Sequence, residues 1–203
     1  MKIICIGRNY IDHAKELNNP VPSEPVFFMK PETALLKNNR DFFYPGFSND
    51  IHHEVELVVR INKIGVHIQE KFAHTYYDEI GLGIDFTARD LQAKQKKKGL
   101  PWEIAKAFDY SAPISKFISK TELGDLNHLQ LSLKKNGNLV QNGSTADMIF
   151  SIDKIIAYVS QYVSFKIGDL IYTGTPAGVG PVKIGDQLTG YIDDREMFSF
   201  KIK

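Results

Sequence analysis

Two glutamates, Glu54 and Glu56, stand in the run Ile51-His52-His53-Glu54-Val55-Glu56-Leu57-Val58-Val59-Arg60, which is rich in Val and Leu and lacks Gly and Pro. Such a run reads as one strand. Side chains alternate along a strand, so Glu54 and Glu56 share a face with His52, while Val55, Leu57 and Val59 point to a core. Two carboxylates fixed this way supply half of a hard-cation site, because such ions take several oxygen ligands. The alternative is a solvent-facing polar stripe. His13 and Glu16, three residues apart between Tyr10 and Leu17, are neighbours on one face of a short helix. They form either a surface ion pair or an acid–base dyad in which the carboxylate orients the imidazole. Lys106 lies in Ile104-Ala105-Lys106-Ala107-Phe108. It either snorkels to solvent or, if buried beside carboxylates, becomes their charge partner and an oxyanion stabiliser.

The elements that position these residues are legible in part. Residues 2–7 read as a strand ending at Gly7, and Val26-Phe27-Phe28-Met29 as a short buried strand within a proline-rich stretch. Alternation across Ile80, Leu82, Ile84 and Phe86 predicts a strand whose glycines allow something to approach closely. Thr87-x-x-Asp90 resembles a capping box for a helix from Leu91 to about Lys98, stopped by Gly99. Asp85 then sits at a strand-to-helix transition, and Arg89 and Gln92 share a helix face. Lys94 and Lys96 to Lys98 read as a solvated helix end, where cations suit the dipole. Leu129, Leu131 and Leu133 before Asn136-Gly137 predict a hairpin, and Ser151 caps a helix over Ile152 to Val163. The stretch Thr173-Gly174-Thr175-Pro176-Ala177-Gly178-Val179-Gly180 lacks the Gly-Lys-Ser/Thr of a P-loop. Its backbone N–H groups suit a small carboxylate.

Composition narrows the class. The 203 residues fit one domain, here 1–203, and 43% hydrophobic residues with a net charge of +1 make no electrostatic case for a nucleic-acid partner. Cys5 is the only cysteine, so neither an internal disulfide nor a thiolate cluster is available, and its apolar neighbours mark it as core. No apolar run is long enough to span a membrane, and Met1-Lys2 leads straight into a strand without a signal segment. The expected location is cytoplasmic.

Four motifs occur in one order: Gly7-Arg8-Asn9-Tyr10, His52 to Leu57, Asp85-Phe86-Thr87-Ala88-Arg89-Asp90 and Thr173-Gly174-Thr175-Pro176. Together they resemble the fumarylacetoacetate hydrolase family over nearly the whole chain. The similarity is greatest to its short single-domain members, among them acylpyruvases that also decarboxylate oxaloacetate. Lys96 to Trp102 and Met148 to Ser151 strengthen that match. The resemblance implies an α+β fold of mixed β-sheet layers with peripheral helices, as in the family's C-terminal domain, and a homodimer. It implies that Glu54, Glu56 and Asp85 bind Mg2+, with Mn2+ or Ca2+ possible, and that Arg89, Gln92 and Thr175 contact substrate. It makes Lys106 and a lid dyad of His13 and Glu16 catalytic. The implied reaction is cleavage of a 2,4-dioxo acid to pyruvate and a carboxylate, with decarboxylation of oxaloacetate at the same site. A 2-hydroxyhepta-2,4-diene-1,7-dioate isomerase or decarboxylase is the nearest rival, and a non-catalytic metal- or ligand-binding module is the reading from another class.

Overall fold

Apolar and alternating runs form fifteen strands among the described residues, which in this computed structural model are 1–12 and 21–203. In chain order they are β1 (Ile3–Gly7), β2 (Val26–Lys30), β3 (Leu35–Leu36), β4 (Ile51–His53), β5 (Val55–Ile61), β6 (Tyr77–Ile84), β7 (Thr87–Ala88) and β8 (Ala112–Pro113). There follow β9 (Ile118–Ser119), β10 (Gln130–Lys135), β11 (Asn138–Ser144), β12 (Leu170–Tyr172), β13 (Gly180–Pro181), β14 (Gln187–Ile192) and β15 (Arg195–Lys201). Helices α1 (Glu70–Ala73), α2 (Arg89–Lys98), α3 (Glu103–Lys106) and α4 (Ile152–Val159) lie between them.

The central sheet has six strands in the order β2-β1-β12-β5-β6-β9. Only its β1–β12 pair is parallel. One face presents Ile4, Val55, Leu57, Val59, Leu82 and Ile84 to the main core. That core is shared with the four-stranded sheet β11-β10-β14-β15 and the apolar stripe of α4. The other face carries Ile3, Cys5, Val58, Leu170 and Tyr172 into a second, smaller cluster. The fold is thus α+β with layered mixed sheets, as expected. No helix among the described residues is long and apolar enough to cross a membrane.

Local departures from expectation have identifiable causes. The run 51–60 is two strands, not one: β4 joins β13 and β7, while β5 joins the central sheet, and the chain changes sheets at Glu54. The buried Gln141 carboxamide from β11 occupies the break, its Oε1 accepting from the Val55 N–H at 3.0 Å. The capping box does not form. Thr87 pairs with His52 in β7, and the Asp90 carboxylate accepts from the Ser48 hydroxyl at 2.7 Å. α4 ends at Val159, short of the expected Val163, and just beyond it the Ser160 hydroxyl donates to Ala157 O and accepts from the Ile68 N–H. The helix expected from Tyr10 to Leu17 lies, beyond residue 12, outside the described residues.

Candidate active site

The register of β5 against β6 assembles the carboxylates. Val55 faces Ile84 and Glu56 faces Gly83, and one step on the Asp85 N–H donates to Glu54 O at 2.8 Å. Glu54, Glu56 and Asp85 therefore meet at one end of the sheet. An oxygen of each lies within 4.8 Å of the others, and all three are buried. A solvent-facing stripe is excluded. The Thr173–Gly180 loop lies against them, with the Gly174 N–H donating to Glu56 Oε2 at 2.8 Å. Gly174 adopts φ +102°, and a Cβ there would stand 2.7 Å from Asn9 Cβ, so glycine is required. Asn9 fixes the loop through its carboxamide, which donates to Thr173 O at 2.8 Å and to Phe150 O at 3.0 Å. The loop's backbone N–H groups were expected to suit a small carboxylate, and the one at Gly174 is directed at Glu56.

Cations surround the cluster. Lys106 is buried rather than snorkelling, and its Nζ donates to Glu54 Oε2 at 2.8 Å and Asp85 Oδ2 at 2.6 Å. Lys30 Nζ lies 2.7 Å from Asp85 Oδ1, at an angle that misses hydrogen-bond alignment. It also donates to Ser111 O, Ser111 Oγ, Phe86 O and Lys106 O. Arg89 Nη2 donates to Glu54 Oε1 at 2.5 Å and Nη1 to Gln92 Oε1 at 2.7 Å. Burial acts to lower the Lys106 ammonium, but the Asp85 and Glu54 carboxylates outweigh it and hold its pKa above the ordinary value. Glu56 is raised, first by burial and then by the charges of Asp85 and Glu54, against the opposing Gly174 N–H.

The residues present fit a hard divalent cation. The donors are carboxylate oxygens in a buried group, and among the described residues Asp85 Oδ1 accepts no hydrogen bond. Arg89, Gln92, Lys106 and Thr175 line the same cavity as the three carboxylates. Thr175 Oγ1 accepts from Gln141 Nε2 at 2.8 Å, so the amide that fills the break before β5 also orients this loop. His53 is spent on structure. Burial lowers its pKa to about 4, and its neutral ring donates from Nδ1 to Gln141 Oε1 at 2.9 Å. His52 Nε2 pairs with Asp50 Oδ1 at 2.9 Å. His13 and Glu16 lie outside the described residues.

Lys30, Gln141, Arg8 and Lys96 were missed by the reading of the sequence, and Arg8 and Lys96 also line the cavity. A lysine closing the apolar run Val26 to Met29 was the available signal for Lys30. For Gln141, nothing in its local sequence marks it.

Residues 2–203 match the family described as "Fumarylacetoacetate (FAA) hydrolase C-terminal", and the chain belongs to that family of enzymes. It is 48% identical over 201 residues to mouse "Oxaloacetate tautomerase FAHD1, mitochondrial", covering 99% of this chain and 91% of that protein. It is 45% identical over 197 residues to the Escherichia coli K12 "Oxaloacetate tautomerase YcgM", covering 97% and 90%. The structure superposes with TM-score 0.94 and 35% identity on fumarylpyruvate hydrolase from Pseudomonas aeruginosa in complex with Mn2+ and pyruvate, covering 100% of this chain and 89% of that one.

Proposed function

We propose that the chain catalyses enolate chemistry on small 2-oxo acids with a divalent cation, keto–enol interconversion of oxaloacetate first among them. The observation that carries this reading is the buried Lys106 ammonium held between two of the three clustered carboxylates. Taking a proton from the carbon beside a 2-oxo group puts negative charge on the oxo oxygen, and donors already in place stabilise it most. A cation held by Glu54, Glu56 and Asp85, with Mg2+ the first choice and Mn2+ or Ca2+ alternatives, would supply Lewis acidity for that charge. Lys106 has three N–H donors. Glu54 and Asp85 take two of them, and the third serves the oxo oxygen. Gln92 spends its carbonyl on Arg89, which leaves its NH2 to orient a substrate carboxylate, with the Thr175 hydroxyl beside it. The pair His13 and Glu16, assigned from the family resemblance, takes the proton from C3 and returns it. The names of the mouse and E. coli relatives support tautomerisation.

Hydrolysis of acylpyruvates is the second reading, favoured by the fumarylpyruvate hydrolase structure with Mn2+ and pyruvate. His13 and Glu16 would deprotonate a water that adds to the 4-carbonyl. The C3–C4 bond then breaks, leaving its electron pair on pyruvate enolate for Lys106 to stabilise. Loss of CO2 from oxaloacetate leaves that same enolate without an attacking water.

The test is to assay the Mg2+-loaded protein with oxaloacetate, acetylpyruvate and 2-hydroxyhepta-2,4-diene-1,7-dioate, following enol absorbance and pyruvate release. The fastest metal-dependent rate is expected for oxaloacetate enol–keto conversion, and Glu56→Gln is expected to lower kcat about 100-fold or more. Faster pyruvate release from acetylpyruvate would promote the second reading. No metal-dependent turnover of any of the three would end both.

A further inference from the structure

A carboxamide presents an acceptor oxygen on one side and a donor NH2 on the other. At Gln141 two backbone groups fix which side is which. The Val55 N–H can only donate, so the atom 3.0 Å from it is the oxygen, and the Pro176 carbonyl can only accept, so the atom 3.0 Å from it is the nitrogen. Two side chains then take complementary roles. His53 Nδ1, 2.9 Å from Oε1, carries the ring proton, and Thr175 Oγ1, 2.8 Å from Nε2, accepts. We propose that Gln141 is a positioning residue: it presets the Thr175 hydroxyl as a hydrogen-bond donor into the carboxylate cavity, so that the substrate must offer an acceptor oxygen there. The inference rests on the 2-oxo acid reading above and deepens it by fixing the direction in which Thr175 hydrogen-bonds.

The Thr175 hydroxyl has little else to do with its proton. Among the described residues its other partner is Pro176 O at 3.5 Å, beyond good hydrogen-bond length, and that carbonyl already accepts from Gln141. The cavity that Thr175 lines with Glu54, Glu56 and Asp85 is the outlet that remains. A donor already aimed there needs no reorganisation when negative charge arrives. A carboxylate or oxo oxygen satisfies it, whereas a ligand without an acceptor leaves a buried hydroxyl unpaired, which costs binding free energy.

β11 is shaped to deliver this amide. Its burial runs against its polarity, with Gln141 1% exposed and Leu139 57% exposed, a conflict of the kind found at functional positions. Leu133 of β10 pairs with Gln141 but Lys134 pairs with Leu139, so Val140 is a bulged residue, and a bulge re-aims the side chain beside it. The Thr173–Gly180 loop closes directly on that bulge. Gly178 adopts φ +98°, and a Cβ there would collide with Val140 O. Gly143, on the face of β11 that Gln141 shares, leaves the room that Pro176 fills. Near its ends the loop is pinned by the Thr173 N–H, which donates to Leu57 O at 3.1 Å, and by the pairing of Gly180 with His53. Gln141 grips the loop between these points, while its oxygen grips the chain on both sides of Glu54, at His53 and Val55. One amide thus holds the backbone of a carboxylate of the cluster and a cavity-facing hydroxyl in a single geometry.

The test measures pyruvate binding to the Mg2+-loaded full chain by calorimetry, in a double-mutant cycle of Gln141→Met and Thr175→Val. Met matches Gln in length and Val matches Thr in shape, and neither can make the bond in question. Each single variant is expected to weaken pyruvate binding about tenfold or more, because each removes the same preset donor. The double variant should bind no more weakly than the weaker single one, a coupling that a merely structural Gln141 would not show. Thr175→Ser keeps the hydroxyl and should stay within about threefold of the wild type. Losses that multiply in the double variant, or wild-type affinity in Gln141→Met, overturn the role of Gln141 and leave the 2-oxo acid reading standing. If Gln141→Met does not fold, nitrogen NMR of the wild type at neutral pH decides. A His53 ring protonated at Nδ1 supports the amide orientation, and one protonated at Nε2 overturns it. A wild type that binds no pyruvate at millimolar concentration removes the 2-oxo acid reading itself, and with it the ligand assigned to Thr175.

Discussion

Lys30 and Lys106 are both buried in the site, yet they serve different masters. Lys106 directs two N–H groups at carboxylates, whereas Lys30 fans its ammonium across backbone carbonyls of Phe86, Lys106 and Ser111 while facing Asp85. It therefore holds the backbone from which Lys106 projects. Removing one member of a buried ion pair leaves an uncompensated charge and costs about 3–5 kcal/mol. Lys30→Met is expected to lose stability in that range by urea unfolding, and Lys30→Arg should not restore it, because a planar guanidinium cannot fan across the same carbonyls. A loss below about 1 kcal/mol for Lys30→Met would remove Lys30 from this role. At this scale residue type and spacing left Glu54, Glu56 and Lys106 between a surface role and a site role, and their burial in one cluster removes the surface role. Asp85 entered the ligand set through family resemblance, and the register of β5 on β6 now supplies a geometric reason for its place. Lys30 was not legible, since its partners are carbonyls 56 to 81 residues away.

At the scale of elements, period-two patterns located the strands and a helical stripe located α4, but two boundaries, at Glu54 and after Val159, fell beside side chains bonded to backbone distant in sequence. Gln141 fills the break at Glu54 from β11, and Ser160 binds the Ile68 N–H from beyond α4. Neither partner is visible in a local window. The expected close approach to the glycines of β6 is present, and at Gly83 it is Tyr172 that approaches. A Cβ at Gly83 would lie 2.6 Å from Tyr172 Cε1 and 2.9 Å from Pro113 O. The ring cannot swing aside freely, because its hydroxyl donates to Pro113 O at 3.1 Å. Gly83→Ala should therefore destabilise the protein by about 1–3 kcal/mol through overpacking. Since Gly83 faces Glu56 in register, the same variant should weaken Mn2+ binding in a direct titration. A variant as stable as wild type, with unaltered Mn2+ affinity, would show that β5 and β6 tolerate the shift.

For the molecule as a whole, the carboxylates come from the β4–β5 junction, from β5 and from the β6–β7 connection, elements that belong to two different sheets. The unfolded chain holds no such cluster, so free energy of cation binding appears as folding free energy. Among the described residues, Glu54 and Asp85 have cationic partners, whereas Glu56 has the Gly174 N–H and no paired lysine or arginine. A divalent cation meets its strongest unmet charge there. A ligand that binds only the folded state at 100 times its Kd stabilises by about 2.7 kcal/mol. In a protein of this size each kcal/mol moves Tm by about 2–4 °C, so saturating Mg2+ or Mn2+ should raise Tm by about 5–11 °C. Chelation with EDTA should reverse the rise. Glu56→Gln keeps the side-chain volume and removes the charge, so its rise should fall below about 2 °C. A surface effect of divalent salt would raise both proteins equally. Equal shifts in wild type and Glu56→Gln, or no shift in the wild type at millimolar cation, would therefore separate this carboxylate cluster from cation binding, whatever the enzyme's turnover.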